Sequence, residues 1–332
     1  MFNNKSILIT GGTGSFGKKF TQMIFDQYKP KKVVILSRDE MKQWEMSQNY
    51  IDNKNIRFLI GDVRDKDRLY RAFNGIDIVI HAAANKIVPI AERDPFECVK
   101  TNIDGAKNVI DAAIDCKVKK VVAISTDKAS SPSNLYGATK MVSDHLFVNA
   151  NNYVGKKNTK FSVVRYGNVM GSRGSVIPLF LKMTKKNSKS IPITDSDMTR
   201  FMITLEEGVK FVWMSLEKMK GGEIFVKKLP SMKVVEIAKT IAPNIKQKIV
   251  GKRPGEKIHE QMISVDDSDY TLENKDYYII VPHKDNFGKS EKYQGRKVQK
   301  GFSYSSDVNS DWMTNENLSE WIKSNQEIIG SF

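Results

Sequence analysis

The sequence has few cysteines, few histidines and no long apolar run, and each shortage excludes a class of protein. Its two cysteines, Cys98 and Cys116, show no CxxC or other metal-binding spacing, so we expect reduced thiols in the core. The four histidines form no H-x-x-x-H pair, and we expect no metal site. No stretch approaches the ~20 apolar residues of a membrane span, and no signal-peptide pattern opens the chain. We therefore expect a cytoplasmic protein with no membrane segment.

An excess of basic residues gives the 332-residue chain a formal net charge of +15. The excess is spread over both halves, with local lysine clusters at 156–160, 182–189 and 246–257. No aromatic–basic motif accompanies it, so we expect no nucleic-acid partner. A solvated lysine-rich surface is the simplest explanation, and the same charge also suits a ligand that carries a pyrophosphate.

Strand-like and helix-like segments alternate in the first half of the chain. Runs rich in Val, Ile and Leu predict strands at 6–10, 32–36, 56–60, 76–81, 121–125 and 161–165. Helical patterns such as 18–28 and 101–116 separate them, so the chain reads as an α/β protein with a Rossmann-like, doubly wound parallel sheet covered on both faces. We expect an NADP-binding Rossmann domain at 1–167. Residues 168–332 should form mainly a smaller C-terminal substrate-binding lobe, from which segments can return to the first domain, with a helix at 205–219 and a surface loop at 284–310.

A glycine-rich segment follows the first predicted strand directly. Residues 11–17 read Gly-Gly-Thr-Gly-Ser-Phe-Gly, a GxxGxxG spacing between a strand and a helix. Glycines at such a turn let backbone N–H groups approach a pyrophosphate, whose charge then lies at the positive end of the helix. A plain turn is the alternative. The position after a first strand favours a dinucleotide site that includes Gly11, Thr13, Gly14, Ser15, Phe16 and Gly17.

The end of the second predicted strand bears on the choice between NADP and NAD. Arg38 can bind a 2′-phosphate, with Ser37 and Lys42 beside it, so the sequence favours NADP. The alternative is a surface Arg38, with Asp39 reaching the ribose hydroxyls of NAD. We expect further cofactor contacts after the next two strands, from Asp62, Val63, Ala82, Ala83 and Ala84.

Residues 125–140 place several reactive groups after an apolar strand and across the start of a helix. They include Thr126, Asp127, Lys128 and the Tyr-x-x-x-Lys pair of Tyr136 and Lys140. Tyr136 and Lys140 share one helix face, so the ammonium can lower the pKa of the phenol and make a tyrosinate base plausible. An ordinary loop ion pair of Asp127 with Lys128, and a helix cap at Thr126, are the alternatives; the adjacent Tyr-x-x-x-Lys pair favours catalysis.

These motifs together resemble the extended short-chain dehydrogenase/reductase superfamily. Within it the chain looks most like the UDP-N-acetylglucosamine 4,6-dehydratases of the inverting, 5-epimerising branch that opens pseudaminic acid biosynthesis. The resemblance runs from residue 2 to about residue 306 and is carried by the stretches 60–65, 84–89, 125–129, 165–169, 171–175 and 253–260. One departure is Asn85-Lys86-Ile87-Val88-Pro89, where the family often reads Met/Leu-Lys-His-Val-Pro.

The resemblance implies NADP as cofactor, UDP-N-acetylglucosamine as substrate and a homo-oligomer, with a hexamer as the candidate assembly. It implies that Tyr136 removes the proton of the carbon 4 hydroxyl, that Thr126 binds the oxygen and that Lys140 holds the cofactor ribose. Lys128 would take the carbon 5 proton, with a pKa lowered toward neutrality by burial beside the cofactor and Lys140, and Asp127 would protonate the departing carbon 6 hydroxyl. The hydride from carbon 4 would return to carbon 6 of the same sugar. Expected substrate contacts are Lys86, Asn168, Arg173, Thr199, Arg200, Arg253 and Glu256.

Two other functions compete with this interpretation. A UDP-hexose 4-epimerase also uses Tyr-x-x-x-Lys, but it needs no acid and base beside the threonine. A non-catalytic NADP-binding scaffold typically loses the tyrosine or the lysine, and this chain keeps both.

Overall fold

The computed structural model describes residues 1–282, 293–326 and 329 of the chain. In chain order the strands are β1 (Ser6–Thr10), β2 (Lys32–Ser37), β3 (Ile56–Ile60), β4 (Ile78–His81), β5 (Lys120–Ile124), β6 (Lys160–Arg165), β7 (Asn168–Val169), β8 (Ser190–Ile193), β9 (Thr199–Ile203), β10 (Ile224–Lys227), β11 (Ser231–Lys233), β12 (Lys246–Ile249), β13 (Gln261–Ile263), β14 (Thr271–Glu273), β15 (Tyr277–Ile280), β16 (Arg296–Lys297) and β17 (Tyr304–Ser305). The helices are α1 (Ser15–Gln27), α2 (Glu40–Ser47), α3 (Lys66–Phe73), α4 (Val88–Arg93), α5 (Pro95–Val99), α6 (Gly105–Asp115), α7 (Leu135–Asn149), α8 (Val176–Lys185), α9 (Leu205–Lys218), α10 (Val234–Ile241) and α11 (Asn315–Ser324).

A ten-stranded sheet forms the centre of the structure, in the order β16-β14-β15-β10-β6-β5-β4-β1-β2-β3. The strands from β3 to β10 are parallel, and β15, β14 and β16 continue the sheet antiparallel. Strand order reverses between β1 and β4, which opens a crevice at the carboxyl ends of these two strands. The predicted α/β class with a Rossmann-like sheet is confirmed.

Apolar side chains cover both faces of this sheet, which explains the continuous Val/Ile/Leu runs of its strands. One cluster packs α1 and α9 against the sheet and contains Phe20 and Trp213. A second cluster lies on the other face and contains Phe73, Val109 and Phe147 from α3, α6 and α7. The first half of the chain therefore holds the carboxyl ends of β1, β4 and β5 rigidly in one layer.

The second half of the chain contributes both to this sheet and to smaller units. Strands β10, β14, β15 and β16 lie in the central sheet, whereas β11-β9-β7, β12-β8 and β13-β17 form separate small sheets. A third apolar cluster joins α8, α10 and α11 around residues such as Phe180, Ile237 and Leu318. The division of the chain after residue 167 stays a prediction.

The predicted surface loop at 284–310 contains two short strands in the part that the structure describes. Residues 284–292 lie outside the described residues, but β16 pairs with β14, and β17 pairs with β13. A strand of two residues is too short to show the alternation of apolar and polar residues that predicts a strand. Such strands form only because a partner strand elsewhere in the chain pairs with them. Among the described residues, no helix combines the length and apolar character of a membrane span.

Candidate active site

The carboxyl ends of β1, β4 and β5 lie side by side at one edge of the sheet. Thr10 of β1 is opposite His81 of β4, and His81 is opposite Ala123 of β5. The predicted cofactor and catalytic segments each begin directly after one of these strands. The topology therefore brings together groups that are far apart in the sequence.

The glycine-rich segment packs too closely for side chains. Gly11 has φ +65°, and a Cβ there would lie 2.8 Å from the Cα of Ala83 after β4. A Cβ on Gly17 would lie 2.4 Å from the carbonyl oxygen of Gly12. Ala82 and Ala83 donate their backbone N–H groups to the carbonyl and the hydroxyl of Thr10. These close approaches explain the glycines and the small Ala82–Ala84 segment opposite them.

The amino end of α1 suits a negatively charged group. Gly14 is the N-cap residue, and neither a side-chain cap nor an acidic residue of the first turn is present there. Ser15 and Phe16 begin the helix, with Thr13 buried just before it. The uncapped N–H groups and the positive end of the helix fit the pyrophosphate of a dinucleotide.

The carboxyl end of β2 carries the residues predicted to distinguish NADP from NAD. Ser37 is buried and its hydroxyl accepts a hydrogen bond from Gln43. The side chain of Arg38 is 52% exposed, with its guanidinium 3.6 Å from Asp62 after β3. Arg64 also forms an ion pair with Asp62 at 2.6 Å. Burial raises the pKa of Asp62, but the two arginines outweigh burial and hold this pKa below its ordinary value.

Asp39, the alternative ribose contact, caps helix α2. Its carboxylate accepts hydrogen bonds from the backbone N–H of Lys42 at 3.0 Å and from the Lys42 ammonium. These bonds hold the pKa of Asp39 below its ordinary value. Lys42, a predicted cofactor contact, is thus occupied by Asp39. Val63, another predicted contact, is buried against Gly105 at the start of α6.

The catalytic motif folds into a 3-10 turn at Asp127–Ala129 followed by α7. Thr126 caps the turn, accepting the backbone N–H of Lys128 at 3.3 Å, and its hydroxyl donates to Asp127 at 2.9 Å. A Cβ on Gly137 would lie 2.3 Å from the carbonyl oxygen of Lys128, so glycine lets α7 pack against the turn. Tyr136 lies in the first turn of α7, where the Thr126 side chain and the Lys128 charge both favour ionisation of its phenol and so act to lower its pKa. The structure therefore gathers Thr126, Asp127, Lys128 and Tyr136, as predicted.

Burial outweighs the predicted lowering of the Tyr136 pKa by Lys140 in this structure. The Lys140 ammonium donates to the carbonyl of Ile124 at 2.9 Å. Burial raises the pKa of Tyr136 to about 12, and the charge of Lys128 and the nearby Thr126 side chain oppose this rise only in part. Burial also lowers the pKa of Lys140. The expectation of a depressed phenol pKa is wrong here because the ammonium is bonded to backbone and the phenol is desolvated.

The expected fall of the Lys128 pKa toward neutrality is also wrong for this structure. The ammonium lies 3.0 Å from Asp127 Oδ1 and 2.9 Å from Glu260 Oε1. Burial by itself lowers the pKa of Lys128, but the two carboxylates outweigh burial and hold it above its ordinary value. Sequence reasoning missed Glu260, although it ends the 253–260 stretch that carries part of the resemblance.

Two of the expected substrate contacts, Thr199 and Arg200 at the start of β9, are buried and bonded to protein groups. Arg200 donates to the backbone carbonyls of residues 199, 257 and 258, and its Nε lies 3.7 Å from Glu260. The Thr199 hydroxyl bonds His259 at 2.9 Å and Ser306 at 2.6 Å. Both residues hold the 257–260 segment in place, and contact with substrate stays a prediction for them.

The segment 253–257 packs beside the amino end of α7. Arg253 and Glu256 form an ion pair at 2.8 Å, in which Arg253 is mostly exposed. The carbonyl of Gly255 accepts hydrogen bonds from Ser133 at 3.0 Å and Asn134 at 2.8 Å. The Arg253–Glu256 pair therefore flanks Gly255, whose carbonyl contacts the residues directly before α7.

The remaining expected substrate contacts lie on segments around the crevice. Lys86 follows β4 and is exposed, although partial desolvation lowers the pKa of its ammonium. Asn168 begins β7, and Arg173 is exposed in the turn that leads to α8. Next to Lys86, the two departures from the family pattern differ: Asn85 donates to the carbonyl of Glu97, whereas Ile87 is exposed.

Comparisons with known proteins find relatives that match most of the chain. The model of a family described as "Polysaccharide biosynthesis protein" matches residues 7–282. The chain is 56% identical over 325 residues to a Campylobacter jejuni protein named UDP-N-acetylglucosamine 4,6-dehydratase (inverting), covering 96% of this chain and 97% of that protein. A Rickettsia canadensis protein named UDP-glucose 4-epimerase is 40% identical over 287 residues, 84% of each chain. The X-ray structure of Pen from Bacillus thuringiensis has a TM-score of 0.90 at 39% identity, covering 98% of this chain and 99% of Pen. The resemblance that the motifs predicted is confirmed.

Proposed function

The chain belongs to the polysaccharide biosynthesis protein family, and from this premise we propose that it is an inverting UDP-N-acetylglucosamine 4,6-dehydratase. Its product would be a UDP-2-acetamido-2,6-dideoxy-hexos-4-ulose with carbon 5 inverted, a precursor for pseudaminic acid. The observation that carries the proposal is the group of Thr126, Asp127, Lys128 and Tyr136 at the sheet crevice, in which Asp127 and Tyr136 are buried and Thr126 and Lys128 partly buried. In this group Thr126 and Tyr136 would bind the carbon 4 oxygen, and Asp127 and Lys128 would be a separate acid and base.

NADP is the cofactor that the site residues favour. Asp39 is occupied as the cap of α2, whereas Arg38 extends half-exposed at the end of β2, where a 2′-phosphate would lie. The glycine-rich turn and the amino end of α1 would hold the pyrophosphate. When bound, the cofactor supplies the redox chemistry, taking a hydride from carbon 4 and returning it to carbon 6.

Tyr136 and Thr126 are the groups that would bind the carbon 4 oxygen. Burial keeps the phenol of Tyr136 protonated at neutral pH in the free protein. The phenol becomes an effective base when a nearby cation stabilises its anion. Lys140, one helical turn away, would supply this cation after leaving the Ile124 carbonyl, and it would also hold the cofactor ribose.

Asp127 and Lys128 would carry the elimination after carbon 4 is oxidised. A proton moves from the Lys128 ammonium to Asp127 along their 3.0 Å hydrogen bond, leaving an amine and a carboxylic acid. The amine then takes the carbon 5 proton, and the acid gives its proton to the carbon 6 hydroxyl, which leaves as water. Both groups end in the charge states that they had at the start, and the proton that carbon 5 gains on its opposite face when the hydride returns to carbon 6 would come from solvent. A high pKa of Lys128 in the free protein is therefore compatible with a base function, because Asp127 receives the proton.

We further propose a homo-oligomer, with a hexamer as the candidate assembly, that acts in the cytoplasm. Large apolar side chains on and beside α4 and α5 are exposed: Ile87 by 54%, Ile90 by 46% and Phe96 by 76%. Exposed apolar groups in one region favour association with another chain. Light scattering on the purified protein tests this, and a monomer at micromolar concentration would contradict it.

A UDP-hexose 4-epimerase is the second candidate, favoured by the Rickettsia canadensis relative of that name. Proton NMR of the protein with UDP-N-acetylglucosamine separates the functions. A new methyl doublet identifies the dehydratase, and an N-acetylgalactosamine anomeric signal identifies the epimerase. An unchanged spectrum would leave a non-catalytic NADP-binding protein.

A further inference from the structure

Glu260 is a buried carboxylate with a strongly fixed backbone, directly before β13. It is 1% exposed. Its N–H donates to the Ser306 hydroxyl at 2.9 Å, and its carbonyl accepts the Ser306 N–H at 2.8 Å. The neighbouring Lys257 ammonium donates to the carbonyl of Ser130, beside the catalytic turn, at 2.8 Å. The fold therefore holds Glu260 against residues 127–130 from another part of the chain.

The Glu260 carboxylate completes a buried group of charges around Lys128. Oε1 lies 2.9 Å from the Lys128 ammonium and 3.7 Å from Arg200. Glu260 Oε2 and Asp127 Oδ2 are buried without a hydrogen-bond partner among the described residues. The charges of Asp127, Glu260 and Arg200 shift the pKa of Lys128. The charge of Lys128 in turn lowers the pKa values of Tyr136 and Lys257.

Arg200 makes the two carboxylates around Lys128 unequal. Glu260 has a second cation beside it, whereas Asp127 has no ion-pair partner other than Lys128 in the part of the chain that the structure describes. A guanidinium stays charged throughout the physiological range, so it favours the anionic form of Glu260. A proton that leaves Lys128 therefore goes to Asp127, next to Thr126 and Tyr136.

We propose that Glu260 is a positioning residue that keeps the Lys128 amine in place while its proton lies on Asp127. In that state the ion pair with Asp127 is lost, but the amine still donates one N–H to the Glu260 carboxylate. The lone pair is thereby held toward the substrate side of the turn. This inference rests on the proposed function of Lys128 as the base.

Glu260→Gln removes the charge and keeps the size of the side chain. With this variant we expect deuterium exchange at carbon 5 in D2O to fall by about 10-fold or more, as part of the ~10²–10⁴-fold contribution of a positioned base. Carbon 4 oxidation should be less affected, so the isotope effect of substrate deuterated at carbon 4 should shrink and that of carbon 5 should grow. Glu260→Asp, which keeps the charge, should recover part of the exchange.

Glu223→Gln is the matched control, because Glu223 is also 1% exposed but receives hydrogen bonds from Ser162 and Gly221, far from the crevice. It should leave both isotope effects as in the wild type. A purely structural role for Glu260 would slow both steps alike and leave the two isotope effects unchanged, which would overturn the inference. If the wild type itself forms no methyl product, the proposed function fails instead.

A stability measurement tests the pairing without turnover. Lys128→Met leaves Asp127 and Glu260 as two buried carboxylates without their shared cation, so its melting temperature should fall. Adding Glu260→Gln to Lys128→Met should raise that temperature again, even if the single Glu260→Gln variant folds poorly. A further fall in the double variant would show that Glu260 does not act through Lys128.

Discussion

Replacing Arg38 by alanine should separate the binding of NADP from the binding of NAD. The guanidinium lies at the end of β2, 3.6 Å from Asp62, and its side chain is 52% exposed. The two cofactors differ by one phosphate on the adenosine ribose. A side chain that binds this phosphate should change the affinity for NADP alone.

The size of the effect follows from the exposure of Arg38. A hydrogen bond between charged partners contributes about 1.5–3 kcal/mol, whereas exposed ion pairs contribute about 0–1 kcal/mol. For a half-exposed guanidinium we expect about 1–2 kcal/mol, which is roughly a 5- to 30-fold weaker binding of NADP. Affinity for NAD should change by less than about twofold, because Asp62 keeps its 2.6 Å contact with Arg64.

Isothermal titration calorimetry with both cofactors measures the two dissociation constants. Arg57→Ala is a suitable control, because Arg57 in β3 donates to the carbonyls of Lys54 and Ile56 at 2.8 Å, at the opposite end of its strand. The control should bind both cofactors like the wild type. An equal loss for NADP and NAD in Arg38→Ala would refute the phosphate contact and make Asp39 the candidate ribose contact.

Four other substitutions, one of them a control, test the chemistry and the cofactor turn. Tyr136→Phe should keep the fold and the cofactor but lower turnover by at least ~10²-fold, and near-normal rates would exclude Tyr136 as the base. With substrate deuterated at carbon 4, mass spectrometry should find the label in the product's methyl group, and loss of the label to solvent would exclude internal return of the hydride. Lys128→Ala should abolish the uptake of deuterium at carbon 5 in D2O. Gly11→Ala should lower the free energy of unfolding by more than the ~1–2 kcal/mol that a left-handed backbone costs an alanine. The reason is that the added Cβ would lie 2.8 Å from the Cα of Ala83. Gly75→Ala is the control, because Gly75 has φ +71° and open space around it. In urea unfolding this variant should lose only the free energy of the backbone strain. An equal loss of unfolding free energy in both variants would contradict the close packing at Gly11.

Sequence reasoning worked where the determining contacts are local. The glycine-rich turn and the Thr126–Lys128 turn each lie within one short segment, and strand–helix alternation predicts the parallel sheet. Each of these predictions depends on neighbours within a few residues. The strands β16 and β17 were missed because two-residue strands exist only through partners elsewhere in the chain.

Protonation states and side-chain partners, in contrast, were decided by the tertiary structure. The sequence placed Lys128 beside Asp127, but only the fold brings Glu260 within 2.9 Å of the ammonium and reverses the expected direction of its pKa. Likewise, Arg200 is bonded to backbone carbonyls of residues 257 and 258. The physical reason is that a pKa depends on desolvation and on charges within a few ångströms, and these come from whichever segments the chain brings together. The sequence determined which chemical groups are present, and the tertiary structure determined their charge and their partners.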